Sequence, residues 1–316
     1  MLYDIPIREL LPGDEIECYY VLTSAEPRMS KTNKPYLSGR LADSSGDIEF
    51  KFWDYAGPMG AADAGTIVKI RGQVSEYQGK PQLTVRRIRP VTESDEYDLA
   101  ALVPVAPIDR DAAMEEIRAL LDTFRDEDYK ALAAAMLDRH EETFRRFPAA
   151  KSMHHSFVSG LLMHTLSMLR LADSIAALYP EVIDRDLLLT GTLLHDFAKA
   201  EEFELSPLGL VTDYSVRGQL LGHLYMGAAD AAETAKELGI PEEKSLLVQH
   251  MIVSHHGVRE YGAITVPATA EAELLSYLDL IDSRMEIYRE ALEDVEPGGF
   301  SKPIPALDRK RLYRHF

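Results

Sequence analysis

Ten histidines occur in this 316-residue chain, and several of them lie in strongly apolar surroundings. His195 and Asp196 stand side by side in LLHDFAKA, and His164 and His223 lie in the similar stretches LLMHTLSM and QLLGHLYM. The full set of such groups is His164, His195, Asp196, His223, His255, His256 and Asp279. A buried polar group without a partner costs about 1–3 kcal/mol, so groups on separate core helices are expected to satisfy one another. A shared metal centre would do so, because imidazole and carboxylate ligands suit Mn, Fe, Co, Ni or Zn.

A single histidine on an apolar helix face is more often a hydrogen-bonded core residue than a metal ligand. We keep that interpretation for the other five, which are His140, His154, His155, His250 and His315. The combined order of histidines and aspartates in the first set favours the metal centre instead.

Residues 13–90 read as short strands. In GDIEFKFWD, the side chains of Ile48, Phe50 and Phe52 fall on one face, and those of Glu49, Lys51 and Trp53 fall on the other. Turn signals such as DSSGD and YQGK separate the runs. About five short strands in a segment of this length predict a small closed β-barrel.

Beyond residue 108 the apolar residues recur at intervals of three and four, which predicts helices. The predicted helices are DAAMEEIRALLDTF, FVSGLLMHTLSMLRLADSIAALY, DLLLTGTLLHDFAKAEEF, GQLLGHLYMGAADAAETAKEL and AEAELLSYLDLIDSRMEIYREAL. On this reading His195 and Asp196 lie inside a continuous helix. Residues 91–108 are acidic and then proline-bearing, which is typical of a linker.

The net charge of −18 argues against general affinity for nucleic acid, since phosphates repel an acidic surface. Residues 1–90 hold twelve basic and twelve acidic side chains, so the whole excess lies in the rest of the chain. The last sixteen residues, SKPIPALDRKRLYRHF, hold five Lys and Arg against Asp308 alone. Local nucleic-acid sites therefore stay possible.

No apolar run approaches the length of about 18 residues that would predict a membrane span. The N-terminus MLYDIPIREL lacks a basic region followed by an apolar core, so no signal peptide is expected. Cys18 is the only cysteine and cannot form an internal disulfide. A cytoplasmic protein without a membrane partner is the expectation.

The order His164, His195-Asp196, His223, His255-His256, Asp279 resembles the HD superfamily of metal-dependent phosphohydrolases. The stretches HHSFVSGLLMHTLSML, LLHDFAKA, GQLLGHLYMG, SHHG and YLDLIDSRM are similar to those of the YhaM-type 3′→5′ exoribonuclease family. Proteins of that family join an N-terminal OB-fold to a C-terminal HD domain. The resemblance spans roughly residues 13–295.

The resemblance implies a multidomain α+β protein, in which a small OB-like β-barrel precedes an all-α HD domain. The expected domains are an OB-like nucleic-acid-binding barrel over residues 1–90, a linker over 91–108, the HD domain over 109–298 and a basic C-terminal tail over 299–316.

The resemblance also implies a ligand set for two divalent ions. His164, His195, Asp196 and Asp279 resemble the ligands of one ion. His223 with one or both of His255 and His256 resembles the ligand set of a second ion, with Asp196 bridging the two. Manganese is the first candidate metal, and Fe, Co, Ni, Zn or Mg are the alternatives.

Other positions near the motifs carry weaker expectations. Lys199 follows His195 by four residues, so a continuous helix would place both side chains on one face. The ammonium group of Lys199 would then hold a phosphate oxygen. The alternative is that Lys199 is a solvated surface lysine. Asp282 is either a partner of a ligand or a surface acid. The HD-GYP relatives carry a glutamate where this chain has Gly160, so a third ion is not expected.

The barrel is expected to guide a single strand. Tyr36, Trp53 and Tyr77 would offer stacking surfaces worth about 1–3 kcal/mol per base, although Trp53 could instead cap the barrel. The cations expected to track phosphates on the outer strand faces are Lys51, Lys69, Arg71, Arg86 and Arg87. The segment RMSKTNKPY, residues 28–36, is predicted to be a strand-guiding loop with Lys31 and Lys34.

The predicted function is that of a metal-dependent 3′→5′ exonuclease, a hydrolase. It would cut single-stranded RNA, or alternatively single-stranded DNA, to nucleoside monophosphates. Two ions can lower the pKa of a shared water from 15.7 toward about 7, and this metal-activated hydroxide would attack phosphorus, with Asp196 and Lys199 as catalytic residues. The alternatives are an HD phosphohydrolase of small nucleotides and a non-catalytic single-strand-binding protein. A homo-oligomer is left open.

Overall fold

The computed structural model describes residues 2–30, 32–77, 79–103, 106–149, 157–206, 208–293 and 295–316. Its contacts divide the chain into two compact units. The first comprises Met1–Val105 with Ser206–Leu208, and the second comprises Ala106–Leu205 with Gly209–Phe316. Among the described residues, no helix is both long and apolar enough to cross a membrane.

The first unit is a closed β-barrel. Its described strands are β1 (Leu2–Tyr3), β2 (Glu15–Met29), β3 (Pro35–Asp43), β4 (Gly46–Trp53), β5 (Thr66–Tyr77) and β6 (Lys80–Pro90). The strand order is β1-β2-β3-β4-β6-β5, and an additional pairing of β2 with β5 closes a ring of five strands. The pairing of β4 with β6 is parallel, and the other pairings in the ring are antiparallel. The predicted small barrel is confirmed.

The alternating residues of the strands fill the barrel as the pattern predicted. Ile48 and Phe50 are 2 % and 0 % exposed, whereas Trp53 on the opposite face is 47 % exposed. Trp53 therefore does not cap the barrel core. Tyr20 is also buried in this core, and its hydroxyl donates a 2.8 Å hydrogen bond to the carbonyl oxygen of Ile5.

Part of the predicted linker is ordered against the barrel. Asp95 accepts hydrogen bonds of 2.6 and 2.7 Å from Arg89 and one of 3.0 Å from Tyr19. Helix α1 (Leu99–Leu102) follows, and the backbone N–H of Ser44 donates to the carbonyl of Ala101 at 3.0 Å. The hydrogen bonds from Arg89 lower the pKa of Asp95 well below its usual range. Asp95 of this acidic stretch is thus paired specifically with a cation of the barrel.

The second unit is mainly helical and includes a short two-stranded pairing, β7 with β8. Its described elements are α2 (Arg110–Asp122), α3 (Glu127–Arg146), α4 (Gly160–Ala176), α5 (Arg185–Leu194), α6 (Lys199–Glu202), β7 (Phe203–Leu205), β8 (Val211–Tyr214), α7 (Val216–Glu237), α8 (Glu242–Ser254) and α9 (Ala270–Leu292). Helices α2, α3 and α5 begin at an aspartate whose side chain accepts hydrogen bonds from the first free N–H groups. The pairing of β7 with β8 corrects the expectation of a purely α-helical domain.

Helix α5 lies at the centre of this unit. Every residue from Asp186 to Leu194 is buried, and Leu188, Leu189 and Leu193 are each 0 % exposed. A helix that is apolar on all sides can only be stable when other helices surround it. The C-terminal end of α5 therefore delivers the next residues, His195 and Asp196, into the protein interior.

The predicted continuous helix through residues 195–203 is wrong. Helix α5 ends at Leu194, residues 195–198 form turns, and the short α6 begins at Lys199. The apolar pattern continues across the break because Phe197 and Ala198 are still buried, at 3 % and 6 % exposure. Periodicity therefore could not reveal where the helix stops. His195 and Lys199 do not share one helix face.

Two glycines shape helix α7. Gly222 has φ 72° and ψ 155°, which breaks the helix directly before His223 and uses a conformation that glycine adopts without steric cost. Gly218 lies in the first turn, where an added Cβ would overlap the backbone carbonyl of Glu202. Helices α6 and α7 can therefore approach this closely only because Gly218 has no side chain.

We expect Gly218→Ala to destabilise the protein by about 1–3 kcal/mol, because overpacking forces α6 and α7 apart. Gly227→Ala on the same helix is the matched control, since an added Cβ there would lie 3.4 Å from Ile252 and 3.5 Å from Ala198, in ordinary contact. The measurement is urea unfolding of both variants and wild type. Equal stability of the two variants would contradict the proposed close contact.

A candidate metal centre and a candidate nucleic-acid surface

Five elements of the helical unit bring the seven predicted metal-binding residues together. His164 lies on α4, His195 ends α5 and Asp196 follows it in the turn. His223 follows the break in α7, and the remaining three are His255 and His256 at the end of α8 and Asp279 on α9. Residues separated by more than one hundred positions thus meet in one cluster.

One side of the cluster contains two histidines and two aspartates. The Nε2 atoms of His164 and His195 are 3.3 Å apart, and Asp196 Oδ2 lies 3.7 and 3.2 Å from them. Asp279 Oδ1 is 3.5 Å from His164 Nε2. His164, His195 and Asp196 are each buried and offer ligand atoms within 4.8 Å of one another, as a metal site requires.

The other side of the cluster contains three histidines. His223, His255 and His256 also offer ligand atoms within 4.8 Å of one another. The Nε2 atoms of His223 and His255 are both 3.6 Å from Asp196 Oδ1. The two oxygens of the Asp196 carboxylate are thus divided between the two groups of histidines.

Several atoms in the cluster lack a hydrogen-bond partner although they are buried. They include Asp196 Oδ1, His223 Nε2 and His256 Nδ1. Buried polar atoms in native proteins are nearly always paired. Unpaired lone pairs converging on one space fit divalent cations, and the nitrogen and oxygen donors suit transition metals.

Each of four histidines is oriented through its other ring nitrogen. The Nδ1 atoms of His195 and His255 donate to the carbonyl oxygens of Thr192 and Ile252, each at 2.8 Å. Carboxylates orient the other two in the same way: His223 Nδ1 donates to Glu202 at 3.0 Å, and His164 Nδ1 donates to Asp282 at 2.7 Å. Such bonds fix the tautomer and leave Nε2 as the ligand atom.

The protonation states favour metal binding. Burial raises the pKa of Asp196, but the positive charges of Lys199 and His195 outweigh it, so the pKa of this carboxyl lies well below its usual range. Burial, together with the charge of His195, lowers the pKa of His255 well below the usual histidine value. A carboxylate and a neutral imidazole are the forms that ligate metals.

Lys199 contacts the cluster directly. Its Nζ lies 2.7 Å from Asp196 Oδ2, and its side chain is 18 % exposed. Burial lowers the pKa of Lys199, but the negative charges of Asp196, Asp279 and Glu202 together raise it more, so the ammonium stays charged. The side chain therefore reaches the site from α6 by pairing with Asp196 and not by sharing a helix face with His195.

A cavity of about 550 Å³ opens onto the cluster. His164, Lys199, His255, His256 and Asp279 are among the residues that line it. The lining also includes Tyr261, Tyr277, Leu280 and Arg284, together with Ala306 and Leu307 near the C-terminus. Pockets that hold small ligands fall in the range of about 300–1,000 Å³, so one nucleotide would fit.

Two carboxylates, Asp282 and Glu202, contact histidines of the cluster, but only Asp282 could be identified from the sequence as a candidate. Asp282, 7 % exposed, is the partner of His164 and not a surface acid. Glu202 carries no sequence signal, because nothing in KAEEF distinguishes it from its exposed neighbour Glu201. Its contact with His223 spans 21 residues and depends on the approach of α6 and α7.

The predicted positions His154 and His155 lie outside the described residues.

The barrel carries an exposed aromatic platform, defined as Tyr36, Lys51, Trp53 and Tyr77. The rings of Tyr36 and Trp53 are 4.8 Å apart at their centroids. Lys51 Nζ lies 5.6 Å from the ring of Trp53 and 4.8 Å from that of Tyr77. Trp53 and Tyr77 are 47 % and 54 % exposed, so the structure places all four predicted residues on one accessible face.

The predicted cations of the barrel differ in their partners. Lys69, Arg71 and Arg86 line a cavity of about 580 Å³ together with Arg87 and Arg89. Arg86 pairs with Glu15 at 3.0 Å, and Lys69 lies 3.5 Å from Glu17. Among the residues that the structure describes, Arg71 and Arg87 have no acidic partner.

The predicted loop over residues 28–36 is shorter than expected. Strand β2 extends to Met29 and β3 begins at Pro35, so Arg28 and Tyr36 belong to strands. Lys34 Nζ lies 3.4 Å from Asp54, and both side chains are exposed. Lys31 lies outside the described residues.

Comparison with known proteins relates both units to characterised ones. A model of the HD domain matches residues 161–284, and a model of an OB-fold nucleic acid binding domain matches residues 21–91. The 3′-5′ exoribonuclease YhaM of Bacillus subtilis (strain 168) is 38 % identical over 303 residues, covering 96 % of this chain and 95 % of that protein. The protein of the same name from Halalkalibacterium halodurans is also 38 % identical, covering 96 % of this chain and 93 % of that one. The similarity therefore extends over the barrel and the helical unit alike.

Proposed function

Since this chain belongs to the YhaM 3′-5′ exoribonuclease family, we propose that it removes nucleoside monophosphates one at a time from the 3′ end of single-stranded RNA. It is a hydrolase with an HD domain, whose chemistry depends on divalent metal, and with an OB-fold that binds nucleic acid. We further propose how many ions the protein binds, which residues ligate them and which surface of the barrel the strand follows.

The observation that carries the proposal is the position of Asp196. Its Oδ2 faces His164 and His195, and its Oδ1 faces His223 and His255. A carboxylate whose two oxygens face two groups of imidazoles can bridge two cations. We therefore assign one ion to His164, His195, Asp196 and Asp279, and a second to Asp196, His223, His255 and His256.

Manganese is our first candidate for both positions, and Fe, Co, Ni, Zn or Mg are the alternatives, because mixed imidazole and carboxylate ligands accept most of them. Two such ions would supply Lewis-acid charge to the phosphoryl oxygens and lower the pKa of a bound water toward about 7.

The side chains of the protein provide orientation and charge. Asp282 and Glu202 hold the rings of His164 and His223. Lys199 lines the cavity and stays charged beside Asp196, so its ammonium is placed to stabilise negative charge on a phosphate group. A preorganised cation needs no rearrangement when the charge develops, which lowers the barrier.

The barrel supplies affinity for the strand. Bases stack on exposed aromatic rings regardless of their sequence, while cations follow the backbone. The aromatic platform provides the rings, and Arg71 and Arg87 provide cations that no acidic side chain of the described residues neutralises. Both features favour a single strand, whose bases are free to stack. Single-stranded DNA remains the alternative substrate.

The test is incubation of the purified protein with Mn²⁺ and a 5′-labelled oligoribonucleotide. A ladder of products shortened from the 3′ end with release of nucleoside monophosphates supports the proposal. Turnover of mononucleotides without shortening of the oligomer would favour hydrolysis of small nucleotides, which the volume of the cavity also admits. Binding without any turnover would leave a strand-binding protein.

Replacing Trp53 with alanine is expected to weaken binding of a single-stranded oligonucleotide. Stacking of a base on an aromatic side chain contributes about 1–3 kcal/mol, which is roughly a 5- to 150-fold rise in Kd. Tyr3→Ala is the control, because Tyr3 is 64 % exposed on the same unit but lies outside the platform. Fluorescence anisotropy gives both values, and an equal Kd for the two variants would remove the platform from the binding surface.

A further inference from the structure

Residues 298–314 form a hairpin and not a free basic tail. The N–H of Gly298 donates to the carbonyl of Arg314 at 2.7 Å, and that of Ser301 donates to Leu312 at 2.8 Å. Nearer the tip, the N–H of Ile304 donates to Lys310 at 2.9 Å. We call this segment the C-terminal hairpin. These backbone hydrogen bonds determine where the backbones of the basic residues near the end of the chain lie.

The tip of the C-terminal hairpin is part of the wall of the active-site cavity. A short 3-10 turn spans Pro305–Leu307, and Ala306 and Leu307 line the same cavity as Lys199 and Asp279. Leu307 is only 4 % exposed, so it anchors the tip. A group bound by the residues next to Leu307 would therefore lie close to the reacting phosphate.

The cations of the hairpin fall into two groups. Arg314 and Arg311 point to backbone: Arg314 donates to the carbonyl of Val295 at 2.7 Å, and Arg311 donates to that of Ser301 at 3.0 Å. The second group, Lys302, Arg309 and Lys310, is exposed and has no acidic partner within salt-bridge distance among the described residues.

Arg309 and Lys310 lie two and three residues beyond Leu307. An extended chain spans at most about 3.6 Å per residue, so both backbones lie within roughly 11 Å of the cavity wall. The one acidic side chain of the tip is Asp308, and it is exposed. Asp308 and Arg309 both have positive φ angles, 53° and 62°, which non-glycine residues rarely adopt.

Unneutralised cations are notable in this unit because its overall charge is strongly negative. An acidic surface repels a polyanion, so a local basic rim beside the cavity determines where a phosphate backbone can approach. Arg284, which lines the same cavity from α9, adds a further exposed cation without an acidic partner among the described residues.

We infer that the tip of the C-terminal hairpin, through Arg309 and Lys310, binds the phosphates of the RNA strand that lie upstream of the scissile phosphate. The inference rests on the proposed function and extends it, since the hairpin would determine how firmly a polymer, as opposed to a dinucleotide, is held. A dinucleotide without a terminal phosphate contains only the scissile phosphate, so it offers no upstream phosphate for these side chains to bind.

The test is the double variant Arg309→Gln/Lys310→Gln in the full-length protein. The control is Arg110→Gln/Lys236→Gln, which removes the same charge from the same unit at residues that do not line the cavity. Lys236 lies 13 positions beyond His223, roughly 20 Å along α7. Binding of a 12-nucleotide RNA with a non-cleavable 3′-terminal linkage is measured with Mn²⁺ across a KCl series, and turnover of a dinucleotide is measured with Mn²⁺.

Each phosphate contact contributes about 0.7 to the log–log salt slope for single strands. We expect the hairpin variant to lower the slope by about 1.4, the control to leave it unchanged, and dinucleotide turnover to stay at the wild-type rate in both. The inference would be overturned if the hairpin variant kept the wild-type salt slope, or if it lost dinucleotide turnover to the same degree as RNA binding. If wild-type protein binds the strand but never shortens it, the proposed function fails, while the slope still reports on the hairpin.

Discussion

Replacing Asp196 with alanine is expected to abolish RNA hydrolysis and to remove most of the bound divalent metal. The carboxylate lies 3.2 Å from His195 and 3.6 Å from both His223 and His255, so its loss affects both proposed ions. Loss of a single preorganised oxyanion-hole donor lowers the kcat of an enzyme by about 10²–10³. Because Asp196 serves both ions, we expect a loss of about 10³ or more.

The measurement combines the rate of shortening of a labelled oligoribonucleotide with elemental analysis of the purified variant. Asp230→Asn is the control, because Asp230 accepts a 2.6 Å hydrogen bond from His140 in the same unit and is not part of the cluster. The control should retain its metal and its rate. A folded Asp196→Ala protein with full metal content and near wild-type turnover would disprove the bridging role.

Replacing Asp282 with asparagine is expected to lower metal affinity by about 10- to 100-fold, the usual effect of losing the partner of a ligating histidine. Asp282 accepts a 2.7 Å hydrogen bond from His164 Nδ1 and is 7 % exposed. Asparagine keeps the volume and an acceptor oxygen but loses the negative charge that makes the imidazole more basic. Activity should therefore return when the metal concentration is raised.

A titration of activity against Mn²⁺ concentration measures this effect, because it separates metal affinity from the rate at saturation. Glu286→Gln is the matched control: Glu286 is buried one turn further along α9 and pairs with Arg289 instead of a metal ligand. If Asp282→Asn requires no more Mn²⁺ than this control, Asp282 does not support His164.

The sequence predicted those parts of the fold that depend on local pattern. The alternation in β4 identified Ile48 and Phe50 as core residues and Trp53 as an outer one. The three- and four-residue spacing identified α9 over Ala270–Leu292, the bounds that the structure has. The apolar flanks of His195 and His223 predicted that costly polar groups would converge, and the structure places them together.

Features that depend on contacts between distant segments could not be predicted in the same way. Helix α5 ends at Leu194 although the apolar pattern continues to Ala198, because the residues after the break are buried by other helices. Glu202 acquires its contact with His223 only when α6 and α7 pack. The predicted basic tail over residues 299–316 is the C-terminal hairpin, and its position beside the cavity is a tertiary property that the local sequence does not reveal.

The central claim is that two divalent ions share the carboxylate of Asp196. Crystals of the wild-type protein grown with Mn²⁺ and measured for anomalous scattering test it most directly. The expected result is two manganese peaks, one against Asp196 with His164, His195 and Asp279, and one against Asp196 with His223, His255 and His256. A single peak, or two peaks of which neither contacts Asp196, would contradict the account.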